Sequence, residues 1–409
     1  MKKLKCRNCK KNNFKYLFSL GNLFFTGRFG KFKNSKIPKG KITIVKCDSC
    51  NLVQLDKKFN PKLLYGKDYG YRSGINQTMT DHLSKISYKL SKIVKLKKYD
   101  QVLDIASNDG TLLNSYYKKD IIKIGIDPTI NKFTKYYKNI NHKVSDFFSY
   151  SVFKKLKLKK RNKIITACAV FYDLDNPNKF LKDISKILEK KDGIFYLEFQ
   201  DLLSIIKNLL FDTICHEHLE YYSLSIVSKM IENNDLKLID VEKNNINGGS
   251  LSLIIAHKET IYRQNKIKIT KILKEEKKYK LSSKKTFDIF FKKVSHLKTK
   301  LNKFIKKIIN EKKVIHGYGA STKGNVLLQY FNIDNNMIKF IADRNPLKKN
   351  LYTPGTKIQI ITESRSRKIN PDYYFVLPWH FENEILKREI SIRKNGTKFI
   401  FPLPTFKVK

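Results

Sequence analysis

At 409 residues the chain is long enough for two or three domains, each with its own hydrophobic core. Its 41% apolar content excludes a disordered chain, no run approaches the roughly eighteen apolar residues of a membrane span, and the stretch from Met1 to Cys6 lacks an apolar signal core, so a cytoplasmic protein with no membrane partner is expected. The net charge of +48 suggests nucleic acid, but only ten of the 84 basic residues are Arg, the better bidentate phosphate ligand, and the lysines spread over the whole length, so no nucleic-acid partner is expected.

Residues 1–60 read as a zinc-ribbon-like module. Cys6-x-x-Cys9 and Cys47-x-x-Cys50 are paired turns, each setting two thiolates at bite distance for a tetrahedral, borderline-soft ion such as Zn2+. Four protein thiolates leave no open position, so the metal is structural. Apolar residues such as Phe14, Leu17, Ile42 and Ile44 supply short strands for it. Residues 61–98 follow as a tyrosine- and glycine-rich loop, Leu64 to Gly74, and a helix from Asn76 to about Leu96. A loop between a metal module and a cofactor domain is placed to cover a ligand, which singles out Tyr71.

Over 99–260, short apolar runs alternate with amphipathic stretches, the signature of an α/β domain with a mainly parallel sheet. Gln101 to Ala106 is its first strand, and Ser107, Asn108, Asp109 and Gly110 turn into the first helix beside Asp104. The second strand ends at Asp127, placed to accept ribose hydroxyls, and Asp146-Phe147 offers a carboxylate and a ring to adenine. A dinucleotide site needs more glycines than Gly110, and Asp104 repels phosphate while favouring an ammonium. S-adenosylmethionine carries an ammonium and no phosphate, so it is the cofactor these residues suit.

The stretch from Phe211 to Tyr222 gathers His216, Glu217, His218 and Glu220 beside Tyr221 and Tyr222, groups able to donate or abstract protons near neutral pH. His216-x-His218 is also a spacing that ligates metal on a strand, and a hydrogen-bonded core histidine is the plain structural alternative. Asn247-Gly248-Gly249 reads as a turn between late strands.

Residues 261–310 form a helical connector, with Phe287, Phe290, Val294, Leu297, Leu301, Phe304 and Ile308 on one face. From 311 to 409 a second Rossmann-like unit begins with a strand and the turn Gly317-Tyr318-Gly319-Ala320-Ser321-Thr322-Lys323. Its glycine spacing departs from the dinucleotide fingerprint of a dehydrogenase, so Gly317, Gly319 and Lys323 are read as a site for the phosphates of a nucleotide-linked substrate.

In this order the four-cysteine module, VLDIASNDGTLL, FDTICHEHLEYYS, NGGSL, GYGASTKGN and DRNPLKKNLYTPGTKI resemble the sugar C-methyltransferase family of deoxysugar biosynthesis over nearly the whole chain. The resemblance implies an α/β fold: a zinc module, a Rossmann-like class I methyltransferase domain and a second Rossmann-like C-terminal domain that binds a sugar nucleotide. It implies S-adenosylmethionine as cofactor, a structural zinc and a nucleotide-linked keto-sugar as partner. By the same resemblance His218 is the base that forms an enolate, His216 and Glu217 orient it or bind sugar hydroxyls, Tyr71 stabilises the enolate oxygen, and Tyr222 and Asn247 contact substrate. Cys215 and Asp173 stand where the family often has tyrosine and histidine. That leaves open the sugar, the methylated carbon and the acceptor atom, and permits a non-catalytic sugar-nucleotide-binding protein; a zinc-ribbon RNA methyltransferase is the other alternative. The oligomeric state is not legible.

Overall fold

The computed structural model describes residues 4–64 and 71–409; residues 65–70 of the tyrosine-rich loop lie outside the described residues. Strands β1 (Phe14–Phe24) and β2 (Lys39–Cys47) form an antiparallel ribbon, and β3 (Val53–Leu55) pairs along β2. The cysteine turns close one end of this ribbon, where Phe14 faces Cys47.

Next come β4 (Gln101–Ile105), β5 (Ile122–Ile126), β6 (His142–Val144), β7 (Asn162–Cys168) and β8 (Ile194–Gln200). The short β9 (Glu220–Tyr221) leaves this unit to pair with β3 in the N-terminal sheet. β10 (Leu236–Asn244) and β11 (Ser250–His257) return, giving a seven-stranded sheet of order β10-β11-β8-β7-β4-β5-β6 in which β11 alone runs antiparallel to its neighbours. β4 and β8 are buried along their entire length, as strands covered on both faces must be. The helix Gln77–Val94 covers one face, its first turn capped by the Asn76 side chain accepting from the Met79 amide at 3.2 Å.

The C-terminal sheet comprises β12 (Ile315–Tyr318), β13 (Phe340–Asp343), β14 (Gln359–Thr362), β15 (Tyr373–Val376), β16 (Lys398–Phe401) and β17 (Lys407–Val408), in the order β14-β13-β12-β15-β16-β17. It is parallel except for β17, and β12 is the point where strand order reverses, the usual ligand side of such sheets.

The connector is two helices, Lys266–Lys278 and the longer Lys284–Asn310, and the second carries the expected apolar stripe. Its apolar stripe packs within the chain, with Phe290 and Phe291 against Phe18 of β1 at ring separations of 5.6 and 4.9 Å. The stripe shifts at its end: Ile305 is fully buried, while Phe304, expected in the core, packs at its margin against Phe406. Helix periodicity of 3.6 allows either neighbour, and the C-terminal strands decide between them. One core therefore joins the N-terminal ribbon, this helix and the C-terminal sheet. Phe290→Ala is expected to cost about 3–5 kcal/mol, the usual loss for a buried ring, read from the midpoint of chemical denaturation.

Candidate active site

After β4 the chain turns through Ala106, Ser107 and Asn108 toward a helix at Thr111. Ala106 and Asn108 hold left-handed φ of 59° and 51°, and such strain in residues with a Cβ persists where a site requires it. A cavity of about 720 Å3 opens here, at the carboxyl ends of β4, β5 and β7. Asp104, Ser107, Asp127 and Phe147 all reach its wall. Asp104 accepts from the Thr166 hydroxyl at 2.6 Å, yet burial, reinforced by Asp127, pushes its carboxyl up to about 7. Asp127 accepts from the Asn108 and Thr129 amides at 3.0 and 2.6 Å.

Three expected cofactor residues lie elsewhere. Asp109 is buried behind the turn, where it accepts from the Gly74 amide at 3.0 Å and the Thr111 hydroxyl at 2.5 Å. Asp146 is exposed and accepts from the Phe147 amide at 2.7 Å. Gly110 is needed for its φ of 74° and its approach to the Tyr137 ring, without lining the cavity.

Sequence reasoning missed Glu198 on β8. Although burial disfavours its charge, the hydrogen bond and charge of His82 hold its carboxyl below the usual range. His82 Nε2 lies 2.9 Å from both oxygens, and Tyr196, Ser252 and Asn244 donate to one of them. A glutamate inside the apolar run Ile194 to Phe199 was the available signal.

The catalytic-looking stretch forms no strand before Glu220. It crosses from the seven-stranded sheet to the N-terminal one, so its three central side chains diverge. His216 is fully buried between the rings of Phe25 and Phe59, both at 4.7 Å, and its Nε2 donates to the Gly40 carbonyl at 3.2 Å. Burial pushes it down to about 4, so it is neutral, and its ring lies in the core and in neither pocket wall. Glu217 is buried beside Gly27, where an added Cβ would come within 2.7 Å of its Oε1. The Thr26 hydroxyl lies 3.4 Å from Oε2, Oε1 has no hydrogen-bond partner among the described residues, and burial raises the carboxyl.

His218 Nδ1 lies 2.6 Å from the Thr213 carbonyl, which can only accept, so Nδ1 carries the proton and Nε2 keeps its lone pair. Burial, then the charge of Lys323, pushes this imidazole down to about 3. The Tyr172 ring packs on it at 4.3 Å. His218 is not itself in the cavity wall; its neighbour Leu219 is, as is Asn247. Asn247, Gly248 and Gly249 all take positive φ, 56°, 92° and 140°, and a Cβ on Gly248 would meet Trp379 at 2.6 Å.

Tyr222 is fully buried, packed on Phe171 at 4.7 Å, so the expectation that it contacts substrate is corrected: it is a core ring. Gly317 is buried in β12, where a Cβ would meet Ile341 at 2.6 Å, which makes it a packing residue. Gly319 does line a second pocket of about 140 Å3, together with Arg344, Lys348 and Arg388. Tyr71 belongs to the walls of both pockets and is about half exposed, so its phenol is reachable from either. Lys323 lies outside the second pocket because its side chain turns toward Gln200 and Asn247. Within the same turn the Ala320 amide donates to Asp343 at 2.7 Å.

The family model described as the methyltransferase domain matches residues 71–241, and the C-methyltransferase C-terminal domain matches residues 245–404. C-methyltransferase NovU of Streptomyces niveus is 25% identical over 364 residues, 89% of this chain and 86% of that protein. The chain belongs to the S-adenosylmethionine-dependent C-methyltransferases. Solved structures similar to this C-methyltransferase include an S-adenosylmethionine-dependent methyltransferase from Clostridium acetobutylicum, with a TM-score of 0.35 and 13% identity over 44% of this chain and 92% of that one. The PH0226 protein from Pyrococcus horikoshii gives 0.37 and 16% over 49% and 99%.

The C-methyltransferase also brings Cys6, Cys9, Cys47 and Cys50 together, with all four sulfurs within 4.8 Å of one another. Cys6 to Cys50 and Cys9 to Cys47 are each 3.5 Å, near the roughly 3.8 Å edge of a tetrahedron with 2.3 Å zinc–sulfur bonds. Among the described residues no other group of histidine, cysteine and carboxylate ligands is placed to hold a metal, and His216 and His218 do not converge. This module touches the active stretch directly. The Leu55 amide donates to the Leu219 carbonyl at 2.9 Å, and Arg7 Nε meets the buried Glu220 at 3.4 Å.

Because the folded pKa of Asp104 lies above its ordinary 3.8, its contribution to stability is complete below about pH 4 and is lost as pH rises toward 7. Asp104→Asn is therefore expected to gain in Tm over the parent as pH increases across that window in cofactor-free protein. A constant difference would contradict the burial of a charge there.

Proposed function

We propose that this methyltransferase acts on a carbon next to the ketone of a nucleotide-linked keto-sugar, with His218 as the base. The observation carrying this reading is the neutral imidazole with a bare Nε2, beside a cofactor-sized cavity and within reach of a second pocket through Tyr71. A proton next to a ketone is acidic enough for such a base, and enolate formation there leaves carbon as the nucleophile. S-adenosylmethionine, when bound, supplies an electrophilic methyl group.

The chain's own groups then divide the work. Asp127 meets the cofactor's ribose hydroxyls, Phe147 its adenine, and Asp104 and Ser107 its amino-acid end. Nε2 of His218 takes the sugar proton while the Thr213 carbonyl holds Nδ1–H and steadies the imidazolium. The Tyr71 phenol, protonated at neutral pH as an ordinary tyrosine is, donates to the developing enolate oxygen. Glu217, buried against Thr26 and Gly27 outside both pocket walls, steadies the stretch that carries His218. We assign nucleotide binding to 311–409, where Arg344, Lys348 and Arg388 line the second pocket paired with Glu384, Asp343 and Glu363, pairings that a diphosphate takes over on binding. We also assign a structural zinc to the four thiolates of 1–60, where the sulfur spacing fits it.

Incubation with S-adenosylmethionine and a panel of nucleotide-linked keto-sugars, followed by mass spectrometry and carbon NMR, is expected to show one added methyl on a sugar carbon; methylated oxygen would contradict the reading. His218→Asn is expected to lower kcat by at least about 100-fold, the scale of general-base catalysis, while leaving cofactor affinity intact. Asp127→Ala is expected to weaken cofactor binding by calorimetry. Metal analysis is expected to return one zinc per chain, and Cys47→Ser to lose both zinc and solubility.

A further inference from the structure

Lys323 opens the helix Thr322–Phe331, whose start is fixed by the Ser321 hydroxyl accepting from the Gly324 amide at 3.0 Å. From there its side chain crosses to the seven-stranded sheet. Nζ donates to the Asn247 carbonyl at 3.0 Å and to Gln200 Oε1 at 3.4 Å. The same Oε1 accepts from the Thr213 hydroxyl, whose oxygen is 3.2 Å from His218 Nδ1 and whose own residue's carbonyl binds that nitrogen. A continuous polar chain thus runs from the lysine to the side of the imidazole opposite its bare nitrogen.

The titratable groups around this ammonium are Asp212, Cys215, His218 and His380. Asp212 acts to preserve the lysine's charge against burial, and it is itself pinned by Trp379 Nε1 at 2.8 Å, a second tie from the C-terminal unit. Facing His218 are Lys323 and the ring of Tyr172. A cation beside an imidazole disfavours the imidazolium, so the lysine and the burial act in the same direction. Neither Gln200 nor Lys323 contacts the pocket that carries Arg344 and Arg388, so this charge is not spent on a phosphate.

We propose that Lys323 is a positioning residue for the base: through Gln200 and Thr213 it locks His218 in its neutral, Nδ1-protonated form, so the methyl-transfer site is complete only with the C-terminal unit docked. This rests on the reading of His218 as the base. It gives the lysine of the glycine-rich turn an electrostatic task behind the imidazole, on the side away from the reacting carbon.

The test is solvent exchange of the keto-sugar α-proton in the presence of S-adenosylhomocysteine, which reads the base without methyl transfer, followed from about pH 2.5 to 8.5. In the parent the rate is expected to stay flat down to an acid limb at about pH 3. In Lys323→Gln and then Lys323→Glu the acid limb is expected at progressively higher pH, by about one and two units for one and two units of charge removed, with KM little changed. If the charge-reversed chain does not fold, Gln200→Glu neutralises the lysine from its partner's side and is expected to move the limb the same way. An acid limb at the same pH in all variants and parent overturns the proposal. His218→Asn in the same assay separates the two claims: exchange at the parental rate removes the base itself, whereas lost exchange with unmoved lysine variants removes only the role of Lys323.

Discussion

One hydrogen bond, from His218 Nδ1 to the Thr213 carbonyl at 2.6 Å, fixes which nitrogen of the imidazole is free, and much of the molecule exists to keep the two residues in that relation. The stretch between them is irregular backbone, which has no ladder of its own and must be held by neighbours. All three sheets contribute. The N-terminal sheet receives β9 on β3 and the Gly40 carbonyl on His216; the seven-stranded sheet offers Gln200; the C-terminal unit adds Trp379 on Asp212 and Lys323 on Asn247. A cysteine-held ribbon far from the cofactor cavity in sequence thereby acts on the position of His218.

Charge is used sparingly despite its abundance. Most ion pairs of this lysine-rich chain are exposed, such as Lys190 with Glu259 and Lys258 with Asp235, and pairs of that kind contribute about 0–1 kcal/mol each. The consequential charges are buried: Arg7 with Glu220, His82 with Glu198, and Lys323 near Asp212. There desolvation is large, and it wins where partners are few. Glu217 and Asp104 are pushed up and His218 down, whereas Glu198, with several donors, stays below the usual carboxylate range.

Much of the architecture was legible because it rests on local rules. The cysteine turns, the strand ending at Asp127 and the apolar stripe from Phe287 to Ile308 each follow from spacing, and the structure places them together as expected. Side-chain direction was harder. His216, Tyr222 and Gly317 sit in the right motifs yet face cores, since a crossing segment sends successive side chains to different neighbours and no periodicity governs it. Lys323 was read as a phosphate ligand because a lysine in a glycine-rich turn usually is one; only the packing of the C-terminal unit against Gln200 and Asn247 redirects it. Glu198 and Gln200 belong to contacts distant in sequence, which no short motif encodes.

The central claim is that one base and one cofactor cavity converge on a sugar carbon. A crystal structure with S-adenosylhomocysteine and a nucleotide-linked keto-sugar tests it most directly. The expected result is a thioether sulfur in the cavity lined by Asp104 and Asp127, with the carbon next to the ketone between that sulfur and His218 Nε2, and the diphosphate beside Arg344 and Arg388. A sugar bound with that carbon out of reach of Nε2, or a cofactor outside the cavity, would contradict it.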